Sequence, residues 1–146
     1  MVARPRRAGP PRPRARGRAA PRPGSRFALF PVEVGRKGDA VAEVAWGGEW
    51  YAGPAYEGPR AFETPAEWRA YAGAYRNDSP WYGTWRIVLR KGRLHFSGEP
   101  LVPLGGGLFR VGEDATATER MQFSDVVGGR ARRLSFSGTD FRRVDE

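Results

Sequence analysis

The 146-residue sequence has no cysteine, one histidine and two lysines. Each scarcity removes a class of chemistry. Without cysteine there are no disulfides, thiolate zinc sites, iron–sulfur clusters or cysteine nucleophiles. A lone histidine, His95, excludes multi-histidine metal sites and makes any Ser-His-Asp triad depend on that one ring. No apolar run approaches the ~18 residues that a membrane-spanning helix needs. The stretch from Phe27 to Phe30 is too short for a signal-peptide core, and Glu33 prevents its extension. The expectation is a chain without an export signal or a membrane span, cytoplasmic by default.

Serine catalysis is excluded on similar grounds. A serine nucleophile needs a base within reach or a Ser-x-x-Lys arrangement. The residues three before Lys37 and Lys91 are Val34 and Val88, and neither lysine opens a Lys-Thr-Gly. There is no Gly-x-Ser-x-Gly. Gly105-Gly106-Gly107 is not followed by Gly-Lys-Ser/Thr, so it reads as a β-turn and not as a phosphate cradle. The carboxylates are scattered, with Glu113-Asp114 standing alone, and no metal site, glycosidase pair or cofactor is expected.

What is abundant is arginine, and its placement is uneven. The formal net charge is +9. Residues 1–26 hold nine arginines and no acidic residue, so 27–146 carries 16 basic and 16 acidic side chains and is neutral. The leader is almost entirely Arg, Pro, Ala and Gly. It cannot bury enough apolar surface to offset chain entropy, and disorder is expected there. One reading is an arm that binds nucleic acid through phosphates. The other, which the absence of a basic aromatic patch in 27–146 favours, is a leader translated from an upstream start. Arginine outnumbers lysine 23 to 2 among abundant Ala, Gly and Pro, which points to a GC-rich, bacterial coding sequence and leaves the sequon Asn77-Asp78-Ser79 idle.

From Phe27 onward, short alternating segments are separated by glycine-bearing turns, the pattern of an all-β domain. If Lys91-Gly92 is a two-residue hairpin loop, Leu89 faces Leu94 and Ile87 faces Phe96 on an apolar side. Val88 then pairs with His95, and Arg90 with Arg93, on the other. The first strand of this hairpin is expected over 81–89. A second hairpin around Gly128-Gly129 sets Phe123 opposite Leu134, Met121 opposite Phe136 and Asp125 opposite Arg132. Further strands are expected over 27–34, 40–46, 48–51, 100–104, 107–111 and 139–144. That gives about eight to ten strands, enough to close a small antiparallel barrel. Thr64-Pro65-Ala66-Glu67 is a capping box with proline at the first helical position. It predicts one helix from Pro65 to about Ala72, docked by Trp68 and Tyr71, ended by Gly73 and plugging one end of the barrel.

Ten Trp or Tyr fall between Trp46 and Trp85. Aromatics at a barrel mouth fill the core or stack on a ligand or partner. The candidates for such contact are Trp81, Tyr82, Trp85, Arg86, Tyr75 and His95. Tyr82, beside Arg86 on the outward face, is the foremost surface candidate. His95 is expected on the outward face as a partly solvated histidine, its pKa lowered by Arg86 and Arg90.

The run Tyr71-Ala-Gly-Ala-Tyr75-Arg-Asn-Asp-Ser-Pro80-Trp81-Tyr82 is followed by Arg86-Ile-Val-Leu-Arg-Lys-Gly92-Arg-Leu94 and Pro100-Leu-Val-Pro-Leu104. Gly107-Leu-Phe109-Arg-Val-Gly112 and Ser137-Gly-Thr-Asp-Phe141-Arg-Arg-Val144 come next, with Trp46-Gly-Gly-Glu-Trp50-Tyr51 and Pro65-Ala-Glu-Trp68 upstream. In order and spacing this resembles the C-terminal lipocalin-like β-barrel domain of β-lactamase-type serine hydrolases, which are similar to class C β-lactamases and penicillin-binding proteins. The resemblance covers about 30–144. It implies a lipocalin-like barrel without catalytic residues, since those belong to a preceding domain, and a truncated or free-standing accessory module. It also implies partners such as a β-lactamase-like catalytic domain or a second copy of the chain. Tyr75-Arg76-Asn77 fits that catalytic domain's Tyr-x-Asn spacing but belongs to the barrel run, so no catalytic role is carried onto it. The alternatives are a small-ligand-binding barrel with Trp81, Tyr82, Trp85 and Arg86 at its mouth, and a nucleic-acid binder acting through the leader.

Overall fold

A computed structural model describes residues 32–144. The leader 1–26, and residues 27–31 of the first expected strand, lie outside the described residues. The chain runs β1 (Val32–Lys37), β2 (Ala40–Trp46), β3 (Glu49–Ala52), α1 (Trp68–Tyr71) and β4 (Gly73–Arg76). It continues through β5 (Thr84–Arg90), β6 (Arg93–Phe96), β7 (Glu99–Gly105), β8 (Leu108–Val111), β9 (Arg120–Val127), β10 (Arg130–Phe136) and β11 (Thr139–Val144). β4 to β11 form a closed eight-stranded antiparallel barrel in which each strand pairs with its neighbours in sequence and β11 pairs with β4. The fold is all-β with one short helix, as the alternation predicts. No helix among the described residues is long and apolar enough to cross a membrane.

The expected barrel strands at 27–34, 40–46 and 48–51 are the point of difference. β1, β2 and β3 do not enter the barrel but make a separate three-stranded sheet. Strand spacing alone does not say which hydrogen-bonded ring a hairpin joins.

Both hairpin registers follow the sequence pattern. Around Lys91-Gly92 the partners are Ile87–Phe96, Val88–His95, Leu89–Leu94 and Arg90–Arg93. Across Gly128-Gly129, Phe123 meets Leu134 and Met121 meets Phe136. The Asp125–Arg132 rung is missing from that ladder. Asp125 takes a left-handed φ of 55° there, and pairing resumes at Ser124–Arg133. Arg133 instead forms an ion pair across β10 and β11 with Asp140.

The helix is shorter than its capping box predicts. Glu67 stands at the N-cap without a side-chain cap bond, and Trp68 donates to the Pro65 carbonyl in a tight turn (3.0 Å). With one turn of helix, Thr64 lies too far upstream to cap it. Trp68 and Tyr71 do share a face, both setting ring edges against Phe109 at 5.6 and 5.9 Å. Tyr71 also stacks on Phe123 at 4.8 Å. Tyr75, Ile87, Leu94, Leu101, Phe109, Met121, Leu134 and Phe141 are essentially inaccessible. The barrel interior is thus filled by its own side chains, and α1 joins that core through Ala70 and Tyr71.

Candidate functional site

Two regions gather the candidate residues. The first is the barrel end reached by the β4–β5 connection. Asn77 organises that loop: its side-chain oxygen accepts from the Ser79 amide (2.7 Å) and its amide group donates to the Asp140 carbonyl (2.6 Å). The Asn77 backbone amide in turn donates to the Gly83 carbonyl at 3.1 Å. Gly83, at φ 60°, turns the chain into β5, which therefore begins at Thr84 and not at Trp81. A strand starting at 81 would have pointed Trp81 into the core; the turn leaves it 89 % exposed.

Tyr82 sits at the rim, its ring edge-on to Trp85 (5.9 Å) and Phe141 (5.7 Å). Trp85 belongs to the filling of the barrel. It stacks on Phe141 at 4.1 Å and packs on Phe96 and Phe136 at 4.6 and 5.0 Å. Arg86 follows on the opposite face of β5, across from Ala74. Trp81, Tyr82 and Trp85 are thus successive layers of one barrel end, from solvent to core.

Tyr75 is not available to a ligand. It is fully buried, its hydroxyl donates to the Tyr71 carbonyl (2.7 Å), and it accepts from the Arg143 guanidinium (3.2 Å). Burial pushes the phenol up to about 12 despite the nearby Arg143 charge.

The second region lies on the outer wall of the β5–β6 hairpin, where the three-stranded sheet covers it. Arg90 is buried there and pairs with Glu33 of β1 at 2.9 Å. Lys91, at the hairpin tip, pairs with Glu43 of β2, which also accepts from the Trp50 indole at 2.8 Å. These bonds hold the Glu43 carboxyl below the usual carboxylate range although its burial opposes that. Between sheet and barrel lies a cleft of about 840 Å³ that includes Trp50, Phe62, Glu43, Lys91, Arg90 and His95 in its lining.

His95 is on the outward face, as the register predicts, and is partly buried where it lines the cleft under the sheet. Its Nδ1 is buried without a hydrogen-bond partner. Burial, with Arg90 as the main neighbouring cation, pulls the imidazole down to about 4, so it is neutral at pH 7. His95 lies apart from the Trp81 end, and the structure does not bring the six candidates into one site.

Sequence reasoning passed over Lys91, Glu43 and Glu33 as site residues. Their only signal was Lys91 itself, one of two lysines and already placed at a hairpin tip. Among the described residues no three His, Asp or Glu side chains are placed to hold a metal ion. Comparison of the chain with family models, with curated proteins and with solved structures gives no match.

Proposed function

We propose that the chain is a non-catalytic interaction module, comparable to the accessory barrel of bacterial β-lactamase-type serine hydrolases. Its contact surface in this reading is the barrel end carrying Trp81 and Tyr82. The observation that carries the reading is a large indole, 89 % exposed, on a loop braced by Asn77 above a filled core. Tryptophan and tyrosine anchor protein contacts because they bury much area with few rotatable bonds. A pre-ordered loop also loses little entropy on docking. The partner is a β-lactamase-type catalytic domain.

The small-ligand alternative at this end is weaker, because Trp85 is already enclosed by Phe96, Phe136 and Phe141. The nucleic-acid alternative rests on residues 1–26 alone, outside the described residues.

Calorimetric titration of the full chain into a β-lactamase-type catalytic domain freed of its own barrel tests the proposal. Micromolar binding that Trp81→Ala weakens at least tenfold is expected. Undiminished binding by Trp81→Ala removes the assigned surface. Hydrolysis of a β-lactam or ester by the purified chain, abolished by a serine-reactive inhibitor, removes the non-catalytic reading.

A further inference from the structure

The Lys91 ammonium does more than pair with Glu43. Its Nζ lies 5.0 Å from the centroid of the Trp50 ring and 4.9 Å from that of Tyr56. Those two rings meet edge to face at 5.1 Å and 72°, and Phe62 meets Trp50 at 5.5 Å and 82°. Two aromatic walls flank the ammonium, Trp50 and Tyr56, with Phe62 set edge-on against Trp50 and the Glu43 carboxylate beside them, and together they make a box suited to a cation. Ring faces attract positive charge, and the effect is largest for ions that shed water easily.

We propose that this box, with the cleft it opens into, is a binding site for a small organic ammonium ion, above all a quaternary one, and that Lys91 is its built-in competitor. Three observations carry this. First, the cleft lining holds four carboxylates (Glu33, Glu43, Glu99, Glu113) against three cations (Arg90, Lys91, Arg93), a balance that favours a positively charged guest. Second, about 840 Å³ is far more room than a lysine head group uses, and Trp50, Phe62, Glu43 and Lys91 line the same space as His95. Third, Lys91 can leave. It sits at a hairpin tip with its side chain 28 % exposed, so its ammonium can turn to water about a flexible stem.

A quaternary ammonium has no N–H groups and gives up no hydrogen bonds on entering the box. A lysine ammonium is strongly hydrated and does give them up. That asymmetry is why an external guest can displace a tethered one.

The test is calorimetric titration of the full-length chain with choline chloride and with tetramethylammonium chloride, with sodium chloride at equal ionic strength as control. Tryptophan fluorescence is followed in parallel. The wild-type chain should bind both weakly and saturably. Lys91→Met, which keeps an apolar stem and vacates the box, should bind at least tenfold more tightly. Trp50→Ala and Glu43→Gln should each weaken binding at least tenfold.

Equal affinity of Lys91→Met and wild type, or undiminished binding by Trp50→Ala, overturns the proposal. So does a response that sodium chloride reproduces. Should Lys91→Met fail to fold by circular dichroism, the wild-type chain decides the matter. Saturation transfer from protein to the choline methyl resonance supports the site, and its absence overturns it.

Discussion

Arg143 points into the barrel and meets the Tyr75 hydroxyl at 3.2 Å. Its guanidinium also donates to the Ala70, Ala72 and Ala131 carbonyls at 3.1, 2.6 and 3.3 Å. Two of those carbonyls belong to α1 and its C-cap, where a cation meets the negative end of the helix. One side chain thus ties β11 to the helix, β4 and β10. Arg143→Met should destabilise the protein by about 2–3 kcal/mol, because charged hydrogen bonds are lost and partly buried acceptors are stranded. Tyr75→Phe should cost less, about 1 kcal/mol, since it removes one neutral hydroxyl and leaves the Arg143 guanidinium its three carbonyl partners. Urea unfolding of the two variants gives the comparison.

His95 predicts a pH dependence. Its folded pKa, about 4, lies below the ordinary 6.5. Between those values the unfolded chain binds the proton and the folded chain does not, so the associated stability is complete above pH 6.5 and falls as pH drops toward 4. The shift corresponds to roughly 3–4 kcal/mol before screening, and to about half that once solvent screening of a half-buried ring is allowed for. Thermal unfolding from pH 7 to pH 4 should therefore be flatter in His95→Leu than in the wild-type chain.

The pair formed by Arg90 and Glu33 joins the sheet to the barrel with a side chain only 8 % exposed on the arginine side. Glu33→Gln leaves a buried guanidinium without its counter-charge and should cost about 2 kcal/mol, less than a fully buried pair because Glu33 is reached by water. Adding Arg90→Met should recover much of that loss. Denaturant unfolding of both single variants and the double variant measures the coupling.

Gly92 is a sterically fixed position. At φ 70°, a Cβ there would stand 2.6 Å from the Glu63 carbonyl oxygen and 3.1 Å from the Phe62 Cβ. Gly128, at φ 59°, faces nothing within 4 Å. Gly128→Ala should cost only the left-handed strain, about 1 kcal/mol. Gly92→Ala should cost clearly more and disturb Phe62. Thermal melts of the two variants separate strain from collision.

The contrast between those glycines mirrors what was legible in the sequence. The β5–β6 and β9–β10 registers could be read because a two-residue turn and a period of two overdetermine them. β4 was invisible: four residues beginning Gly-Ala, directly after a helix, carry no alternation. Trp81 was misplaced because apolar periodicity extends back past Gly83, whose left-handed turn comes just before the strand's first residue, Thr84. The cleft was out of reach for a different reason. It forms where a second sheet covers the outward face of a hairpin, and nothing local to Lys91 or His95 encodes that cover. Trp50 and Tyr56 stood in the aromatic run, but their convergence on one ammonium is tertiary.

Seven of the eight junctions in the barrel join strands consecutive in the chain; the eighth, β11 to β4, joins Val144 to Ala74 and has three rungs. The ring therefore has a seam. Local hairpins can zip in any order, whereas the seam must bring together ends about seventy residues apart and bears the loop-closure entropy alone. Arg143 stands at that seam, reaching from β11 to the carbonyls of Ala70 and Ala72. It acts as a rivet, and the amides of β4 and β11 are where hydrogen exchange should first reveal the barrel unrolling.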